Sequence, residues 1–305
     1  MSLAVKGGNV EKMQTMKIVT CALVYGLIFY PLGALCSEEG GNIIAAQAVV
    51  PAETFELGRK LLRGEGVEKD TKKAFALISD AAAAGHPDAM GAMGYFYASS
   101  VEVQQDLAKA MEWFRRGAEA GSAKAQFNYG TALLQGRGGE TDAAAGVEWI
   151  MKAAAAGLPE AQSRVGFAYL HDGDLPGIAR DTTKAHQMFA SAANAGVVDA
   201  QNALGFMLGE SGDHEASVTW YRRAAEAGNA KAQANLGRAL LNSASADDRK
   251  QRVEGLKWLL LAEQAGEPTA KNSLGQFMPA CSGSVVAAAR SEAARFAAGA
   301  ARQQN

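Results

Sequence analysis

The stretch Leu57-Gly58-Arg59-Lys60-Leu61-Leu62-Arg63-Gly64-Glu65-Gly66-Val67 runs from an apolar pattern into a turn, and the dipeptide that opens it keeps returning. After Gly58 come Gly94, Gly130, Gly166, Gly205, Gly237 and Gly275, each preceded by Leu, Met, Tyr or Val. A second series, Gly85, Gly121, Gly157, Gly196, Gly228 and Gly266, closes each unit, in steps of 36, 36, 39, 32 and 38 residues. A period in this range marks a stack of repeats rather than one globular core.

The units share their content. The third carries Ala123, Ala125, Tyr129, Gly130 and Leu133, then Gly136 and Gly138, then Trp149, Ile150, Ala153 and Ala154 before Gly157. The fifth carries Ala200, Leu204, Gly205 and Leu208, then Trp220, Tyr221, Ala224 and Ala225 before Gly228. Spacings of three and four place these residues on one face of a helix. Two helices of roughly 12 residues with two turns fill each unit. Gly inside a helix costs about 0.5–1 kcal/mol relative to Ala. Seven such glycines therefore predict helices packed closely at those points. Trp113, Trp149, Trp220 and Trp258 read as core, and the closing glycines suit left-handed helix C-caps.

These units resemble the Sel-1-like repeats, a branch of the tetratricopeptide-like helical repeats. The first matches best, with Leu57-Gly58, Leu61, Gly64-Glu65-Gly66-Val67, Asp70, Lys73-Ala74, Ala81-Ala82 and Gly85. The second keeps Met93-Gly94, Tyr97, Asp106, Lys109-Ala110 and Trp113-Phe114; the third keeps Asp142; the fourth keeps Asp181 and Lys184-Ala185. The fifth lacks the Gly-x-Gly turn, the sixth has a longer polar turn over Ser243–Lys250, and the seventh decays after Gly275. The resemblance implies an all-α fold, a right-handed α-solenoid of antiparallel helix pairs with about six to seven repeats. It also implies a noncatalytic scaffold or adaptor that binds other proteins, although a fold does not fix a function.

The domain reading follows: a repeat array over 51–282 and a capping helix and tail over 283–305, where Val285, Val286, Ala289, Ala293 and Phe296 keep helical spacing. Residues 37–50 read as a flexible linker, and residues 1–36 as a signal peptide or N-terminal membrane anchor. Lys17 precedes the uncharged stretch Ile18–Tyr30, then Pro31, and Ala34 and Cys36 would flank a cleavage site of small residues. Met13 or Met16 would be a more natural start than Met1. Leu35 before Cys36 argues against a lipoprotein signal, whereas an apolar run of nearly 19 residues leaves an uncleaved anchor open. The expected location is therefore periplasmic or secreted, with membrane attachment only if the segment is retained. Cys281 would stand alone in the mature chain, so no internal disulfide is expected.

The net charge is −2 without a basic stripe, which gives nucleic-acid binding no electrostatic support. His86, His171, His186 and His214 fall in different repeats without zinc-ligand spacing. The run His171-Asp172-Gly173-Asp174 is too short for a calcium loop. Gly136-Arg137-Gly138-Gly139 follows a helix and lacks the Lys-Ser/Thr partner of a phosphate cradle. No nucleophile is placed beside a base. Neither cofactor nor metal is expected. Cysteine-rich relatives with these repeats are linked to β-lactam hydrolysis, but they carry a disulfide per unit that this chain lacks.

In the tetratricopeptide relatives the first helix of each pair lines the concave face. Counting the Leu-Gly as positions seven and eight, positions five, nine and thirteen lie one turn apart and share a face. The candidate partner-binding residues are Arg59, Tyr95, Phe127, Thr131, Phe167, His171, Asn202, Phe206, Glu210 and Arg238. Aromatics among amides and charges suit a peptide groove; the alternative is that Phe127 and Phe167 pack between repeats. The reading is an exported, noncatalytic adaptor whose partner is a protein, regulating an envelope assembly or signalling protein. A secreted effector that binds a host protein is the rival, and an enzyme is the alternative of a different class.

Overall fold

An aspartate starts every second helix. In the computed structural model, which describes residues 50–303 except residue 246, Asp70, Asp106, Asp142, Asp181, Asp213 and Asp248 are N-caps. The Oδ1 of each accepts the backbone N–H three residues on, at 2.9–3.1 Å. The export signal or anchor expected over 1–36, and the linker through residue 49, lie outside the described residues.

The helices these caps open are α2 (Thr71–Ala83), α4 (Leu107–Glu119), α6 (Ala143–Ala155), α8 (Thr182–Asn194), α10 (His214–Glu226) and α12 (Arg249–Gln264). Each is the second of an antiparallel pair. The first helices are α1 (Pro51–Arg63), α3 (Pro87–Ser99), α5 (Ala123–Gln135), α7 (Pro159–Leu170), α9 (Val198–Glu210) and α11 (Ala230–Ser243). A seventh first helix, α13 (Pro268–Phe277), leads through a short 3₁₀ turn to α14 (Gly283–Gln303). The described elements are all helical. Second helices end as the glycines predict. Gly85 sits at φ +92°, and its N–H reaches Ala82 while that of His86 reaches Ala81, the paired hydrogen bonds of a left-handed cap.

The recurrent Leu-Gly glycines are where the two helices of a pair meet. A Cβ added at Gly58 would lie 2.7 Å from Ile78, at Gly94 2.5 Å from Phe114, and at Gly166 2.8 Å from Phe189. At Gly205 it would lie 2.8 Å from Tyr221 and at Gly237 2.7 Å from Leu259. Carbon atoms settle at about 3.5–4.0 Å, so each site excludes a side chain and lets the second helix drive a large residue against the backbone of the first. In the third pair Ile150 and the Gly146 carbonyl fill the same place at Gly130.

Two expectations change here. The tryptophans are one residue short of the residue that fills this slot, about 100° round the helix. Trp113, Trp149 and Trp220 are therefore only half-buried, with Arg116, Lys152 and Arg223 lying 4.3, 4.2 and 4.5 Å from the ring centres. Trp258 alone of the four is buried, where Phe296 of α14 meets it edge-on at 5.1 Å. The seventh glycine also differs: nothing lies within 4 Å of a Cβ at Gly275. The helix that follows α13 packs on α12 instead, placing Val285 and Ala289 against a cluster that includes Leu256 and Leu259.

Neighbouring pairs are joined by a repeated hydrogen bond. The Nε2 of Gln126, Gln162, Gln201 and Gln233, each fourth in a first helix, donates to the carbonyl of Ala118, Ala154, Ala193 and Ala225 at the end of the preceding second helix, at 3.2–3.4 Å. Leu57 shows what stacking provides. Its equivalents Met93, Val165, Leu204, Leu236 and Leu274 are 5% exposed or less and Tyr129 is half-buried, but Leu57 is 43% exposed, because no described helix precedes α1.

Gly205→Ala should destabilise the array by about 1–3 kcal/mol through overpacking against Tyr221. Gly275→Ala, with open space in a helix, should leave stability unchanged or raise it by up to about 1 kcal/mol. Urea titration of both variants, followed by circular dichroism, measures the contrast.

Candidate functional site

First helices of neighbouring repeats run side by side, and this decides which of the candidate positions is free. Position five faces the next first helix. Gly91, Ser163 and Ala234 are buried there, and a Cβ on Gly91 would lie 3.2 Å from that of Ala125. Asn202 accepts a hydrogen bond from Asn235 Nδ2 of the next repeat at 3.0 Å. Phe127 is half-buried against the cluster around Ile150 and Val165. Position five thus serves mainly to join repeats, which places Phe127 and Asn202 in the packing, although half-buried Phe127 also lines a cleft.

Position nine, one turn on, is more open. Tyr95 is 60% exposed and Phe206 48%. Thr131 donates to the Phe127 carbonyl at 2.7 Å. Phe167 is the exception, meeting Phe189 edge-on at 4.8 Å and stacking against His171 at 6.5 Å. Arg59 is occupied by an ion pair with Glu56 at 2.7 Å. Glu210 and Arg238 are exposed.

Three clefts open along these helices. The first, about 500 Å³, lies between α3, α4 and α5 and is lined by Tyr95, Leu107, Phe127, Thr131, Gln135 and Arg137. The second, about 700 Å³, lies between the end of α7, the start of α8 and α9, with Leu170, Arg180, His186, Phe206 and Glu210. The third, about 890 Å³, lies between α9, α10 and α11, with Phe206, Glu210, Tyr221, Asn235, Arg238 and Asn242. Arg59, Phe167, His171 and Asn202 line none of these three.

The clefts recruit residues that counting along the first helices does not reach. Arg180 precedes the cap Asp181, His186 lies in the first turns of α8, and Arg137 lies in the turn after α5. The register of the aspartate caps is the sequence signal for them, since it sets the start of each second helix beside the end of the first.

Two buried polar side chains, Ser217 and Tyr221, line the third cleft. Ser217 Oγ donates to the Gly205 carbonyl at 2.6 Å. Burial pushes the Tyr221 phenol up to about 12, against a smaller lowering by the Ser217 hydrogen bond, so it stays protonated. In the same lining, Arg222 Nη1 donates to Glu254 Oε1, joining the fifth and sixth repeats. Burial raises the Glu254 carboxyl, but the Arg222 hydrogen bond and charge, with Trp258 and Lys257, hold it below its ordinary value.

The other motifs serve the fold. His86 Nδ1 caps α3 by accepting from Ala89 N–H at 3.3 Å, and its ring stacks on Phe55 at 4.7 Å. Asp174 pairs with Arg164 and Asp172 accepts from the Arg180 N–H, which pins the turn above buried Leu175. Among the described residues no three metal-ligating side chains gather, and no helix is long and apolar enough to cross a membrane.

The profile of the Sel1 repeat matches residues 54–86, 87–122, 123–158, 159–197, 198–229 and 230–267, one match for each of the first six helix pairs. The chain belongs to the Sel1 repeat family. This Sel1 array is similar to the crystal structure of a Sel1 repeat protein from Oxalobacter formigenes, with 28% identity, a TM-score of 0.59, and coverage of 70% of this chain and 88% of that one. It is similar also to c5321, a protective antigen of uropathogenic Escherichia coli with an SLR fold, at 26% identity and a TM-score of 0.47, covering 82% of this chain and 61% of that one. The immunity protein Pa5087 from Pseudomonas aeruginosa shares 15% identity at a TM-score of 0.45, covering 70% and 81%. No curated protein matches the sequence. Sel1 arrays are generally noncatalytic protein-interaction folds.

Because the Glu254 carboxyl is held low, its contribution to stability is complete above the ordinary carboxylate pKa of about 4.3 and is lost as pH falls through its lower folded value. Glu254→Gln should therefore be less stable than the parent at pH 7, with the gap closing toward pH 2. Thermal melts across that range test the sign.

Proposed function

We propose that this Sel1 array is an exported, noncatalytic adaptor that binds a segment of a partner protein along the first-helix face, in the service of an envelope assembly or signalling protein. The observation that carries the reading is the pair of exposed rings, Tyr95 and Phe206, each at the mouth of a cleft lined by polar side chains. Large rings held on rigid helices beside amides and charges are what protein interfaces concentrate. Export rests on the basic, apolar and small-residue succession over Lys17–Cys36.

The binding anchors are Tyr95 and Phe206, and the half-buried Phe127 and Phe167 support them. Phe167→Ala should cost about 2 kcal/mol of stability, less than a fully buried Phe would, whereas Tyr95→Ala/Phe206→Ala should leave the fold intact. Affinity capture with the tagged full-length chain from an envelope fraction, read by mass spectrometry, tests the function. A protein enriched by the parent and lost by the folded Tyr95→Ala/Phe206→Ala variant is the expected result. Equal capture by both would move the contact to another surface, and no capture would end the adaptor reading. Immunoblots of cell fractions and medium, with and without residues 17–36, test export; a chain that stays in the cytoplasm in both forms would remove that part.

A further inference from the structure

We propose that the two adjoining clefts over the fourth to sixth repeats take an extended segment of a partner protein in which two carboxylate side chains flank an apolar one. The proposal rests on the adaptor reading and adds the chemistry of the partner.

The two clefts share a wall. Phe206 and Glu210 line both, with about 700 Å³ on one side and about 890 Å³ on the other. A chain that occupies both must therefore pass over the Phe206 ring, which is 48% exposed and suits an apolar side chain. On the far side of one cleft stands Arg180, and on the far side of the other Arg238. Among the described residues neither guanidinium has an ion pair or a side-chain hydrogen bond; only the backbone N–H of Arg180 is engaged, by Asp172. Some guanidinium groups of the chain are paired with its own carboxylates, as at Arg59–Glu56, Arg115–Glu112, Arg164–Asp174 and Arg222–Glu254; what sets Arg180 and Arg238 apart from other unpaired arginines is that they line these two adjoining clefts. A free guanidinium presents a planar fork of donors that matches a carboxylate.

Glu210 sets where those carboxylates can be. It lies between the two arginines in the wall, without an ion pair among the described residues. It and Arg238 line the same cleft. An acidic side chain at the centre would meet Glu210 and be repelled, while a basic or amide donor beside the apolar residue would be held. Glu215 is the other acidic residue lining the Arg238 cleft, so the acceptors of the segment are directed to the two arginines on its flanks and away from both glutamates. The cleft over the second and third repeats has Arg137 but no second arginine in its lining and no acidic residue, so it does not offer this arrangement.

The test is panning of a phage-displayed library of random dodecapeptides against the immobilised full-length chain, with selected peptides then measured by fluorescence anisotropy. The expected peptides carry Asp or Glu on both sides of an aromatic or aliphatic residue. Arg180→Glu and Arg238→Glu, each checked for parental circular dichroism, should weaken their binding by about tenfold or more, the loss typical of a hydrogen bond to a charged group. Arg180→Gln and Arg238→Gln serve if either reversal disturbs folding. Panning against Arg238→Glu should select Lys or Arg in place of one acidic flank, an exchange that a purely structural role would not produce. Selected peptides without flanking acids, acidic peptides indifferent to both arginines, or no selected peptide at all would each overturn the proposal. If bound peptides ignore both arginines but are lost with Tyr95→Ala, the adaptor reading stands on the other cleft and only this assignment falls.

Discussion

Everything in this array depends on a large side chain of the second helix pressing against bare backbone at a glycine of the first. Six times the chain gives up side-chain volume on one helix so that Ile78, Phe114, Ile150, Phe189, Tyr221 or Leu259 can lie against the other. The contact brings the two axes close, and it leaves the Ala-rich stripe of the second helix free to meet the next pair. The glutamine hydrogen bonds across that second interface then pin one pair to the next. Because such contacts are local and repeat, stability is close to a sum over neighbours. The ends differ for the same reason. Leu57 is exposed where no described helix precedes it, and Gly275 is open where the final helix has moved onto α12.

This construction separates the residues that hold the array from those it can offer. On the first helices of the six full pairs, position eight meets its own partner, position five mainly meets the next repeat, and position nine is left over except at Phe167, which packs on Phe189. Phe127 and Phe206 look alike in a list of aromatics, but one is half-buried between repeats at the side of one cleft and the other is exposed in the shared wall of two. The second helices contribute through their first turns, where the aspartate caps fix the chain direction and bring Arg180 and His186 beside the neighbouring first helix. Irregular turns add to the same edge: Arg137 of the third unit lines the first cleft, and Ser243 at the start of the long sixth turn lines the third.

The period, the helix pairs, the left-handed caps and the family were all legible in the residues. Each is written locally, in a glycine, an aspartate or an apolar spacing of three and four, and six copies make the pattern unambiguous. The caps Asp213 and Asp248 were not read from the sequence: Asp213 keeps the spacing to its closing glycine that Asp70, Asp106, Asp142 and Asp181 share, but its unit lacks the preceding turn, and Asp248 stands farther from Gly266 because α12 is longer. The slot filled by Phe114 and its equivalents was less legible. An adjacent Trp-Phe or Trp-Tyr pair offers two rings, and a rotation of about 100° per residue decides which of them goes inside.

What the tertiary structure alone decided is the free surface. Whether Tyr95, Phe167 or Phe206 is exposed depends on how one helix pair is rotated against the next. That rotation is the sum of many small contacts between residues some thirty to forty positions apart, as with Asn202 and Asn235 or Arg222 and Glu254. The clefts are products of the same non-local geometry, since each is built from three or more helices and a turn. Local chemistry was enough to specify the repeat and its fold. The surface it presents to a partner arises between repeats, where no single segment of the sequence carries the information.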